Sequence, residues 1–455
     1  MHSLVIILLR GVNQTGMNKI SNLLKEKSFG NMIWLMSDSI LRLGMGFIVS
    51  VWLARYMGPS AFGVFNYAYA MIVIYSAVAS LGMNGVVVRE LIKGNADTRT
   101  ILGTSFFLQV MGSLLSTSLV VLTVLMLRPK DYDLLIILLC MLPSVLLRSS
   151  DIVKYWFESI ISSKYTVLAQ NFAFFISSLI KVLIIICKGS YLLIAATVSI
   201  EAFIVAMLLF YFYVYKKNAL NWKVNFTEAK RLLSISWPLI LSGLALMLYM
   251  RIDQIMIGNM IDDASVGIYS VAVKMVEIWY FVPIAIVSSL FPKIIKAKDE
   301  DNEDNYNKKL QFLYDLLVVI SVCIAIVVTI FSDWIISFCY GPHYHEASYL
   351  IKIYAWVSVF YFLSSASGRW YINEGLQKYA LNRNILGLAI AIVLNYFLIP
   401  SYGAAGSVYA TLIAYSCAGY FFDFLSKKTR IAFYQKSKSL WVPGALLRIK
   451  KNFQG

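Results

Sequence analysis

Runs of about 18–25 apolar residues recur along the chain, from 31–54 to 403–425, about twelve in all. Each is long enough to cross a hydrocarbon core of about 30 Å as a helix. Backbone groups in lipid have no water to bond, so such a run closes its own hydrogen bonds by coiling. Composition points the same way. Only 14% of the residues are charged and 59% are hydrophobic, against roughly 25% and 45–50% in soluble domains. Too few charges remain to coat a soluble globule of 455 residues. The reading is an all-α polytopic membrane protein with about twelve spans.

The net charge of +16 is distributed by loop. Basic residues fill alternate connections, at Lys25 and Lys27, Arg89 and Lys93, Lys154 and Lys164, Lys216 to Arg231, and Lys293 to Lys309. The other connections hold Arg55, Arg128, Lys130, Lys188 and little else. The positive-inside rule then puts both termini in the cytoplasm and supports an even number of spans. Nucleic acid is a partner that such a basic chain also suggests, but loop asymmetry accounts for the charge without it. No loop is large enough for a soluble catalytic domain. Residues 1–30 form a cytoplasmic lead-in, with Met17 a candidate true start that N-terminal peptide mass would test. A first lobe of six helices spans 31–215, a cytoplasmic linker 216–231, a second lobe 232–426, and a basic tail on anionic lipid 427–455.

A weak repeat supports two lobes. AFGVF at 61–65 matches SVGIY at 265–269, aligning Gly63 with Gly267, and at the same offset LARYMG (53–58) overlays IGNMID (257–262). Lobes with an even number of helices keep one orientation, so their axis lies along the membrane normal and a substrate site lies between them.

Several ionisable residues nonetheless fall inside spans. A charge at mid-bilayer costs roughly 2.5–3.5 kcal/mol on insertion scales and seldom faces lipid. Arg42, Lys181, Arg251 and Lys274 lie on four different spans, accompanied by Asp38, Asp253 and Glu277. Asp38 and Arg42 share a helical face, as do Lys274 and Glu277, so each couple could pair. Arg251 and Asp253 point apart and need partners elsewhere. Either these are structural ion pairs, or the cations converge on a wet interior that holds an anionic head group. Arginine suits bidentate phosphate contact and lysine a point-charge contact. The three carboxylates would balance the empty cavity or bind a coupling proton or sodium ion. Tyr249, Tyr269, Trp279 and Tyr280 could stack on sugar rings or join the interfacial belt. No Walker loop is present, which argues against direct ATP drive. The five cysteines form no CxxC, and the HxH of His343 and His345 lacks further ligands, so neither a metal nor a cofactor is expected.

The remaining motifs resemble a known group. Asn395, LIP-x-YG at 398–403 and AAG-x-x-x-AT at 404–411 look like the signature of the polysaccharide-transport branch of the multidrug/oligosaccharidyl-lipid/polysaccharide exporter superfamily. VGIYSVAVKM (266–275), FPK (291–293) and MGPSAFGVF (57–65) are similar to its other recurrent stretches. Within it the chain resembles the O-antigen flippase type (Wzx-like). The resemblance implies a two-lobed bundle with a central cationic cavity that moves undecaprenyl-diphosphate-linked oligosaccharide across the bacterial inner membrane. It also implies contact with membrane lipid and with polymerase and chain-length proteins of the same pathway. Lipid II flippases carry additional C-terminal helices, whereas a basic soluble tail is expected here. A drug or organic-cation antiporter of the same superfamily is the alternative, and a membrane polymerase a more distant one.

Overall fold

A computed structural model describes residues 27–94, 97–216, 220–299 and 303–454, with side chains from Arg42 to Lys451 except at residue 299. Among them there are helices and no strands. Among the described residues ten helical runs are long and apolar enough to cross a membrane. The first of them, Arg42–Lys93, is not one rod: Gly58 sits at φ 70°, ψ 172° and Pro59 starts the next segment. Glycine takes that left-handed φ without a Cβ clash, and proline lacks only an N–H that a first turn leaves unused. The last expected span, 403–425, is the helix Ala404–Gly419 followed by a short 3-10 turn. The helix Phe226–Met260 begins within the expected linker, capped by Asn225, whose side chain accepts from the backbone of Thr227 and Glu228.

Successive runs alternate direction, so the connections sort onto two faces. The basic face carries Gly94 and the turns near residues 160–163 and 374–376; the far face carries Gly58, 128–131, 187–190, 261–262 and 340–345.

The repeated glycines meet on the far face. A Cβ built on Gly63 would lie 1.7 Å from the carbonyl oxygen of Asp263, and one on Gly267 would lie 2.1 Å from that of Pro59. Asp263 precedes Gly267 by the same step as Pro59 precedes Gly63. The contact is therefore reciprocal, as a two-fold axis between the halves requires, and it identifies the repeat as structural. Tight packing of small residues is how membrane helices approach closely.

The tail differs from expectation. Residues 430–454 form two helices, Arg430–Leu440 and Val442–Gln454, docked onto the second half. Lys436 is fully buried. Its Nζ lies 2.6 Å from Asp423 and donates to the Gly419 carbonyl and to Ser367 at 2.7 and 3.0 Å. Tyr371 also donates to Asp423. Arg448 reaches Asp315 at 2.7 and 2.8 Å. Arg383 is also buried and donates to Ser367 at 2.9 Å. These cations bind carboxylates and hydroxyls inside the protein, so the segment does not lie wholly on lipid. Lys436→Met, leaving Asp423 buried without its cation, is expected to cost about 3–5 kcal/mol. Thermal unfolding in nanodiscs reads this, with Lys438→Met as an exposed control; equal midpoints would mean that the pair does not hold the tail.

Candidate functional site

A cavity of about 630 Å³ lies inside the bundle. Most of its wall comes from the first half, through the segment after Arg42, residues 144–154 and the helices Lys164–Ile186 and Tyr191–Tyr215. The second half contributes Arg251, Lys274, Glu277 and Ile278. All four cations singled out in the sequence, Arg42, Lys181, Arg251 and Lys274, stand on this wall.

Their partners differ. Arg251 pairs with Glu277 across two helices, Nη1 to Oε1 at 3.3 Å and Nη2 to Oε2 at 3.4 Å. The expected Lys274–Glu277 couple does not form. Glu277 ends the helix Asp263–Glu277, where a 3-10 turn begins, and there its carboxylate meets the two-pronged guanidinium. Lys274 has no carboxylate within ion-pair distance among the described residues; its Nζ sits 4.6 Å from the Phe62 ring centroid. Lys181 stands 3.8 Å from Glu201. Arg42 donates to Asn171 at 3.4 Å and lies 5.8 Å from the Phe174 centroid. The Asp38 side chain lies outside the described residues.

Asp253 is not on the cavity wall. At 3.6 residues per turn, two positions beyond Arg251 is more than half way round the helix. Asp253 accordingly points into the second half and is 4% exposed. It accepts from Tyr269 at 2.7 Å, Thr411 at 2.8 Å and Asn395 at 2.7 Å. All three donors are neutral. The proposed sugar-stacking aromatics are also packed elsewhere: Tyr249 stacks on Tyr415 and Tyr280 on Tyr361, while Tyr269 is buried beside Asp253. The aromatics that do line the cavity are Phe47, Phe65, Tyr69 and Phe174; of these Tyr69 is 40% exposed and stacked on Phe65.

Sequence reasoning missed Arg148, Asp151 and Lys154, which extend the wall toward the basic face. They read as charges at the end of a span. The 3-10 turn Leu147–Ser150 and the helix Asp151–Ser159 turn them inward. Among the described residues the wall thus carries six cations and three carboxylates, and two of those carboxylates are already paired. Such a chamber suits an anion of more than one charge and disfavours a cation.

The far face is shut above it. Arg128 holds Asp263 at 2.6 Å, Asp131 at 3.1 Å and Asn259 at 3.3 Å, donates to the Gly258 carbonyl, and lies 4.3 Å from the Tyr67 centroid. Tyr344 donates to the Ala54 carbonyl at 2.9 Å and Arg55 to that of Phe338. Each half therefore grips the other at this end, and the cavity runs from the seal toward the basic face.

Comparison with known proteins places this architecture. The model of a family described as polysaccharide biosynthesis protein matches residues 28–298, more than half the chain, and the MatE model matches 238–397. The probable low-salt glycan biosynthesis flippase Agl15 of Haloferax volcanii is 21% identical over 398 residues, covering 84% of this chain and 80% of its own. Lipid II flippase MurJ in an inward closed conformation aligns at TM-score 0.69 and 15% identity, over 92% of this chain and 97% of that one. An inward-facing MATE family multidrug resistance transporter aligns at 0.65 and 12%, over 88% and 96%. These structural likenesses establish the fold.

Proposed function

The chain belongs to the polysaccharide biosynthesis protein family, and from that premise we propose that it is a flippase for lipid-linked oligosaccharide. It acts as a transporter and not as an enzyme. The observation that carries this reading is the convergence of Arg42, Lys181, Arg251 and Lys274 on one cavity shut at the far face. The finer reading is that the substrate is an undecaprenyl-diphosphate-linked repeat unit for O-antigen or another surface polysaccharide. The basic face is then cytoplasmic, with both termini on that side of a bacterial inner membrane. The diphosphate enters from the basic face and meets the cations, the sugars fill the chamber beside Tyr69, and the polyprenyl chain stays in lipid. Breaking the far-face contacts while the basic-face ends close would release the glycan on the other side. Polymerase and chain-length proteins of the same pathway would receive it.

The test is translocation of a fluorescent undecaprenyl-diphosphate oligosaccharide in reconstituted vesicles, with loss of surface polysaccharide on deletion. Efflux of an organic cation without movement of the lipid would instead establish the antiporter reading, which the positive excess on the wall disfavours.

Asp253 is the carboxylate best placed to couple a proton or sodium gradient. It is buried, bound only by neutral donors, and sits on the same helix as Arg251. Asp253→Asn keeps the size and removes the charge. It is expected to abolish the gradient dependence of translocation while substrate binding persists. A rate that still responds to an imposed gradient would remove Asp253 from the mechanism.

A further inference from the structure

We propose that a second cavity, on the far face of the second half, is a carbohydrate-binding subsite that takes a sugar of the glycan as it leaves; this rests on the glycan-flippase reading. The cavity measures about 400 Å³, within the roughly 300–1,000 Å³ of small-molecule sites. It lies between the turn that holds Ile261 and Ser265, the start of the helix Glu346–Tyr354, and the turn at Gly403.

Its wall has the chemistry that a pyranose needs. A sugar offers an apolar C–H face and a rim of hydroxyls, so it is matched by an exposed aromatic ring beside polar acceptors and donors. Tyr349 and Tyr402 line the cavity and are 52% and 60% exposed. They are not loose interfacial anchors. The Tyr402 ring stands edge-on to Tyr409 at 5.9 Å and 85°, and the Tyr409 and Tyr349 hydroxyls lie 2.7 Å apart. One proton bridges that pair, so the other remains for a ligand oxygen. Glu346 supplies the acceptor. Nearby, Asp263 is held by Arg128 at 2.6 Å and Asp333 by Lys352 at 2.7 Å, and Asp262 accepts from the Ser265 backbone N–H at 2.7 Å. Glu346 has no cation within ion-pair distance among the described residues, and its two oxygens can take the protons of a vicinal diol. Ser265 adds a hydroxyl at the opposite edge.

The position fits the role. Ser265 belongs to the same short segment as Asp263, which Arg128 and the Gly63 contact hold in the far-face seal. A sugar released past that seal meets this pocket next.

The probes are methyl pyranosides of glucose, galactose and N-acetylglucosamine, with saturation-transfer NMR on the full chain in nanodiscs free of glycosidic detergent. At least one is expected to give a signal. The double variant Tyr402→Ala with Glu346→Gln is expected to weaken apparent affinity by about tenfold or more, and Tyr349→Phe, which keeps the ring and removes the shared proton, by less. Thermal midpoints check that each variant folds. Arg251→Ala, in the central cavity, is expected to keep the signal. The proposal is overturned if no pyranoside binds, or if Arg251→Ala removes the signal and the pocket variants do not. A signal from tetramethylammonium alone, lost in the pocket variants, overturns it too. Translocation is read in parallel: its absence with the pyranoside signal intact sinks the flippase reading and leaves the sugar site standing.

Discussion

Alanine at Gly63 is expected to stop transport by holding the far face open, in a protein that still folds. The reason is steric. The added Cβ would fall 1.7 Å from the Asp263 oxygen and 2.6 Å from its carbonyl carbon. Both are backbone atoms of a helix first turn, so no side chain can swing aside. Gly267→Ala meets the Pro59 oxygen at 2.1 Å and should behave alike. The clash exists only while the halves touch here; once they part, alanine costs nothing and even favours the helix. The substitution therefore penalises one state of the cycle. A penalty of about 5.5 kcal/mol takes a two-state ratio from 99:1 to 1:99, and an overlap with backbone of this depth exceeds what small shifts relieve. A single cysteine at Tyr69, in a background without the native cysteines, reads the outcome. With the wild-type glycines it should react with a membrane-impermeant maleimide from the basic face; with Gly63→Ala it should react from the far face. Gly85→Ala, where a Cβ meets nothing within 4 Å, is the control. Unchanged sidedness in Gly63→Ala would show that the seal does not depend on this contact.

How much of this was legible beforehand depends on the range of the interaction. Span length and loop charge are local, so the helical architecture could be read from apolar runs alone. The Gly63 and Gly267 repeat was visible because both halves need a residue without a Cβ at the same turn. The four cations stood out because hydrocarbon makes each one costly wherever it points. Which carboxylate each cation meets is a tertiary matter. The spacing of Lys274 and Glu277 allows a pair on one helix, yet Arg251, on another, takes Glu277. Arg148 and Lys154 carried no signal, since a charge near the end of a span looks like a loop residue until a 3-10 turn directs it inward. The tail was misread for a related reason. Its basic sequence describes a surface, and only Asp423 and Asp315, distant in the chain, make buried sites for Lys436 and Arg448.

Removing Arg251 is expected to do more damage than removing Glu277, and that inequality separates a substrate site from a structural ion pair. If the pair merely pinned two helices, losing either partner would leave a charge stranded and cost alike. If Arg251 binds a diphosphate, the two losses differ. Arg251→Met removes a bidentate donor and leaves Glu277 free to neutralise Lys274, three residues away on the same helix. The chamber's net charge falls by one, and it then has neither the bidentate donor nor an unpaired lysine at this point. Glu277→Gln keeps a hydrogen-bond partner for Arg251 and releases its charge to the substrate. A hydrogen bond to a charged group contributes about 1.5–3 kcal/mol, so Arg251→Met should lower the translocation rate at limiting substrate by about tenfold to a hundredfold or more. Glu277→Gln should leave it within a few-fold or raise it. Lys274→Met, which removes one cation and frees no carboxylate, should fall between the two. All three rates are measured in vesicles at matched protein, with surface polysaccharide as the cellular readout. Equal losses in Arg251→Met and Glu277→Gln would assign the pair to the scaffold and leave Lys274 and Arg42 to carry the anion.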